Sequence, residues 1–151
     1  LDMDNDYSFT KGHFDIVSRF DLKGDAIFGY STSQESTILS KATMFIDMGT
    51  TFNYAPSIAN RDLIFMEDAS SMLYLNGATL ASTTTGLRLT YGTVIVDKVN
   101  YIDNPEAVSL SEGVEFGNGT PEGELNVNIV PGGKINVLSG IFNMNVSPSV
   151  A

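Results

Sequence analysis

Few side chains in this sequence have the type and spacing that chemistry requires. His13 is the single histidine, and there is no cysteine. A histidine could act as a general base, but no serine sits in a Gly-x-Ser-x-Gly elbow and no thiol is present to be activated. His13 therefore reads as an exposed or structural residue. Asp2, Asp4 and Asp6 alternate as ligands do at the start of a calcium loop. The sharp-turn glycine of such a loop is replaced by Tyr7, and its bidentate glutamate by His13. A solvated acidic segment is expected instead. Glu112 with Glu115, or Glu122 with Glu124, could form the carboxylate pair of a glycosidase. The only basic residues after Arg88 are Lys98 and Lys134, so surface acids account for them better.

The stretch Phe116 to Gly123 has the glycine density of a phosphate loop but lacks its Lys-Ser/Thr, and reads as a wide turn. Pro131-Gly132-Gly133 is likewise a turn. Asn118-Gly119-Thr120 and Asn145-Val146-Ser147 fit the glycosylation sequon, which matters only in a eukaryotic secretory pathway. Tyr74, Tyr91 and Tyr101 could stack on sugar rings if they line one exposed face. No catalytic, cofactor-binding or metal-ligating residue is assigned from these patterns. The chain is expected not to be an enzyme and to need no cofactor or metal.

The scaffold that would hold such residues is legible in the composition. Of 151 residues, 54 are Ser, Thr, Asn or Gly, types that disfavour helix interiors. Thr and the β-branched apolar residues favour strands, and Asn and Gly favour turns. A hydrophobic fraction of 42% is enough to build one domain's core. The net charge of −10 argues against nucleic acid and anionic membrane as partners, because both need clustered Lys and Arg. No run approaches the 18 or so apolar residues of a spanning helix, so membrane insertion is not expected. Because it opens on Leu1 rather than Met, the chain is expected to be a processed product or an excised fragment.

Apolar residues alternate with polar ones at Leu73-Tyr74-Leu75, Leu87-Arg88-Leu89, Leu125 to Ile129, Ile135-Asn136-Val137 and Ile141 to Val146. Period two puts one set of side chains inside and the other outside. A loose unit of apolar, any, apolar, then glycine starts at 20, 44, 73, 87, 108 and 135, with gaps of 24, 29, 14, 21 and 27. Four of the five gaps suit one coil of a parallel β-helix; the gap of 14 suits a fraction of one. Glycine suits the corners, where the backbone takes positive φ or runs close to a neighbour. The expected fold is all-β, a parallel β-helix or solenoid of about five to six coils. The alternative is an antiparallel β-sandwich or jelly roll, which Asn76-Gly77 and Asn118-Gly119 would serve as hairpin turns.

The whole chain, 1–151, reads as a single β-rich domain. Residues 62–146 carry the regular coils. Residues 1–61 are less regular and could hold a cap over one end. Thr32-Ser33-Gln34-Glu35 fits a capping box, and Ile38, Ala42 and Phe45 follow at helical spacing, so a short helix is expected near 33–45.

The run from Ser71 to Val146 resembles the coils of bacterial parallel β-helix surface proteins, the autotransporter-passenger and adhesin-like repeats. The likeness is carried by Leu73 to Leu80, Thr85 to Asp97 and Val114 to Thr120. It implies an exported, elongated, non-enzymatic protein at the cell surface or outside the cell, whose partners are copies of itself. A strand at the end of such a rod offers unpaired backbone groups, and end-to-end contact that does not close gives a filament or matrix. Ile141 to Val146, uncharged and followed by Ser147-Pro148-Ser149, would be such a last strand. The alternative is a carbohydrate-binding adhesin or phage-fibre-like module with glycans as partners.

Overall fold

The computed structural model describes residues 1–58, 62–83, 86–104, 113–117 and 125–145. Seventeen short strands appear among them and no helix. No helix is therefore long and apolar enough to cross a membrane. In chain order, β1 to β6 are Tyr7–Phe9, Asp15–Ile16, Arg19–Leu22, Ile27–Tyr30, Ser36–Ile38 and Thr43–Ile46. Strands β7 to β12 are Thr51–Tyr54, Ile64–Met66, Met72–Asn76, Thr79–Ser82, Leu87–Leu89 and Gly92–Asp97. Strands β13 to β17 are Val99–Asp103, Val114–Phe116, Leu125–Ile129, Lys134–Ser139 and Phe142–Met144.

Strands pair with the strand three places later in the chain, except that β8 and β11 belong to different sheets. The sheets run β1-β4-β7-β10-β13-β16, β3-β6-β9-β12-β15, β2-β5-β8 and β11-β14-β17. Every ladder among the described residues is parallel. The antiparallel sandwich is thereby excluded: Asn76-Gly77 is no hairpin turn, because β9 and β10 belong to different sheets. The helix expected over 33–45 is also absent. That segment is β5, a turn and β6, and Ile38, Met44 and Ile46 enter the core as alternating strand residues. Parallel partners on both sides of β5 and β6 outweigh the capping-box signal, because propensity is a weak prior against tertiary pairing. The same three-strand period runs through residues 1–58 as through the rest of the chain.

Stacking in register makes columns of like residues. One column is Tyr7, Phe28, Phe52, Leu80, Ile102 and Val137. A second is Leu22, Ile46, Leu75, Val96 and Ile129. A third, Phe9, Tyr30, Tyr54 and Ser82, is aromatic for three of its four places. Phe28 and Phe52 stack with centroids 5.8 Å apart. Burial in these columns is the main source of stability, roughly 25 cal/mol for each Å² of apolar surface removed from water.

The corners carry the backbone freedom the sequence advertised. Gly77 between β9 and β10 has φ +74°, and Lys98 at the matching corner between β12 and β13 has φ +63°. A Cβ on Gly77 would lie 3.4 Å from that of Lys98, so the two corners sit on one another. Register offsets between partner strands vary from 21 residues (Tyr7 to Phe28) to 36 (Asp103 to Ser139).

Candidate functional site

The candidates read from sequence do not converge. Asp6 accepts a hydrogen bond from the Ile27 N–H at 2.9 Å, Asp2 pairs through its backbone with Lys23, and Met3 between them is buried. The Asp6 carboxylate is thus committed to the backbone of β4, and no group of three or more metal-ligating side chains occurs among the described residues. His13 is exposed, 3.3 Å from Gln34 Oε1 through Nδ1 and 3.9 Å from Asp15 Oδ2 through Nε2. Glu112, Glu122, Glu124 and the Asn118-Gly119-Thr120 turn lie outside the described residues, as do Val146 and Ser147 of the second sequon.

The three tyrosines do not share a face. Tyr74 is on β9, Tyr101 on β13 in another sheet, and Tyr91 at the corner before β12. Tyr91 is 40% exposed, with its ring 6.1 Å from Phe65. Tyr74 donates to Asp97 Oδ2 at 2.7 Å, and that bond to a carboxylate holds its phenol above the ordinary tyrosine value. Its ring lies 5.2 Å from Phe45, which carries the Arg19 guanidinium 4.8 Å from its centroid. Ile95 follows Tyr74 in register. The Tyr74 ring is thus engaged by Phe45 in a tilted contact of 37° and sits between two in-register neighbours, whereas sugar stacking needs an open ring face.

The fold assembles one polar cluster that sequence spacing did not reveal. Arg88 on β11 donates from Nε to Asp62 Oδ1 at 2.9 Å and from a terminal nitrogen to Oδ2 at 2.5 Å. Glu115 on β14 is in register with Arg88 and only 8% exposed. The Asp62 bond, helped by the fields of Asp62 and Glu115, holds the guanidinium more firmly protonated than usual. An arginine clamped on both oxygens of one carboxylate is a fastener between the segment before β8 and the sheet at β11. Asp62 and Arg88 are 26 residues apart, a separation with no local signature.

The less ordinary surfaces are the two ends of the stack. At the first end, Tyr7, Phe9, Phe14, Ile16, Phe20 and Phe28 border an open cavity of about 420 Å³. Tyr7 is 47% exposed although Phe28, next in its column, is 2% exposed. Position in the stack explains the difference: Tyr7 has a neighbour on one side only. Part of this end is covered, since Leu1 to Met3 runs beside Lys23, with the Met3 N–H on the Lys23 carbonyl at 2.9 Å.

At the other end Ile129, Val137 and Met144 are 55%, 49% and 45% exposed, while Val96, Ile102 and Phe116 beneath them are fully buried. Leu138 is the extra residue where the β13–β16 register shifts, and it is also exposed. Both ends are therefore apolar cross-sections of the same columns. Such a surface, at the last described strands of a parallel sheet, can extend that sheet and bury apolar area. No protein-family model, curated protein or solved structure matches this chain.

Proposed function

We propose that the chain is a parallel β-helix of five to six coils, serving as a non-enzymatic, exported structural protein at the cell surface or outside the cell. It self-associates end to end into a filament or matrix. Its strands fall into five three-strand rounds, β1 to β15, and a partial sixth of β16 and β17. The observation that carries the role is the exposure of column residues at both ends of the described stack, Tyr7 at one and Ile129, Val137 and Met144 at the other, although their neighbours in the same columns are buried. The resemblance of Ser71 to Val146 to adhesin-like and autotransporter-passenger repeats supports the same setting. The engagement of the Tyr74 ring by Phe45, between two in-register neighbours, weighs against glycan binding as the main task.

The test is sedimentation of the 151-residue chain over a wide concentration range, with electron microscopy of the same samples. Rods that lengthen as concentration rises are expected. A monodisperse monomer at high concentration would overturn the reading.

A further inference from the structure

We propose that copies join head to tail, with β16 and β17 of one copy laid on β1 and β2 of the next, so that Val137 continues the column that Tyr7 opens. This rests on the self-association reading and adds its polarity and its contact residues.

Three observations select this arrangement. First, every ladder among the described residues is parallel, and head-to-tail stacking continues β16 into β1 in the same direction, whereas two heads meeting about a two-fold axis would set strands antiparallel. Second, the ends differ in charge. Residues 1–22 hold five aspartates against Lys11 and Arg19, a formal −3, whereas residues 125–145 hold Lys134 and no acid. Head to head would bring −3 against −3; head to tail brings −3 against +1. Third, the ends differ in shape. The first is an aromatic-walled cavity, and the second presents Val137, Leu138, Phe142 and Met144. The partner's contribution is confined to the β1 and β2 edges, because Leu1 to Met3 already occupies part of the edge beside β3.

The chain has no cysteine, so two introduced thiols report the contact without background. Adjacent strands lie ~4.8 Å apart, within the Cα separation a disulfide spans. Tyr7→Cys and Val137→Cys are made as separate proteins, each checked for unchanged β-sheet circular dichroism. Under mild oxidation, a mixture of the two is expected to give covalent dimers and each alone none. A chain carrying both is expected to give a ladder of multimers. Dimers from Tyr7→Cys alone, or sedimenting assemblies that no pairing cross-links, would overturn this polarity while leaving self-association standing. Absence of any assembly in the sedimentation run would remove the underlying reading instead.

Discussion

The rings of Tyr30 and Tyr54 lie 5.7 Å apart and 10° from parallel, in register on β4 and β7. Both hydroxyls reach the same residue. Tyr30 Oη is 3.1 Å from the Leu63 carbonyl, and Tyr54 Oη accepts the Leu63 N–H at 3.2 Å. At the end of the long connection between β7 and β8, the Leu63 N–H is therefore satisfied by Tyr54, while the Leu63 carbonyl accepts the Ser36 N–H at 2.8 Å and Tyr30 donates most closely to the Gln34 carbonyl at 2.5 Å.

That arrangement predicts alkaline sensitivity. Burial is the largest cause raising both phenols above the ordinary tyrosine value near 10, most strongly at Tyr54. The folded chain holds these protons more tightly than the unfolded chain. Their contribution to stability is complete below about pH 10 and is lost as the pH climbs through the raised folded values. Melting temperature followed by circular dichroism should fall steeply above that pH. Tyr54→Phe should cost about 1–2 kcal/mol at neutral pH, for the unsatisfied Leu63 N–H, and should make the alkaline fall shallower.

The Arg88 fastener predicts unequal effects at its two carboxylates. Asp62→Asn removes one partner of a pair whose side chains are 33% and 48% exposed, so solvent screening limits the loss to about 0.5–1 kcal/mol. Arg88→Met removes the same pair and also the cation in register with Glu115, which is 8% exposed, and should cost more, about 1–2 kcal/mol. Urea denaturation of both variants measures the difference; equal costs would mean that Glu115 draws nothing from Arg88.

Two corner glycines should respond differently to alanine. Both have positive φ, +91° at Gly92 and +84° at Gly132. A Cβ at Gly92 would meet Met66 Sδ at 2.6 Å and the Ser71 carbonyl oxygen at 2.9 Å, whereas at Gly132 it meets nothing within 4 Å. Gly132→Ala should cost about 1 kcal/mol, for the left-handed backbone alone. Gly92→Ala adds a clash with buried atoms and should cost at least about 1–3 kcal/mol more. Thermal denaturation of the pair resolves the two effects.

Substitutions in one column should separate folding from assembly. Phe52→Ala, in the middle, should cost about 3–5 kcal/mol of stability. Val137→Asp, at the exposed end, should leave the melt within about 0.5 kcal/mol of the parent and yet abolish concentration-dependent sedimentation. Added salt should promote assembly of the parent chain, because screening relieves repulsion between copies of net charge −10 while the apolar contact is unaffected.

Alternation along each strand could be read directly from the residues, because the two faces of a strand follow from backbone pleating alone. Leu73-Tyr74-Leu75, Leu87-Arg88-Leu89 and Leu125 to Ile129 all became strands, β9, β11 and β15. The repeat starts at 20, 44 and 73 are true register partners, Phe20 with Met44 and Met44 with Leu73. The next start, 87, is not: Leu87 lies in another sheet, and the partner of Leu73 is Val94.

Lys98 conceals that partner. It holds the left-handed corner after β12 as Gly77 holds the one after β9, so Val94 to Lys98 carries no glycine to mark it as a repeat. Strand identity and the inward set of side chains were thus determined by sequence, through local geometry. Parallel pairing and the meeting of Asp62, Arg88 and Glu115 were decided only by tertiary structure. Register partners stand 21 to 36 residues apart, so the pairing leaves no fixed period in the chain.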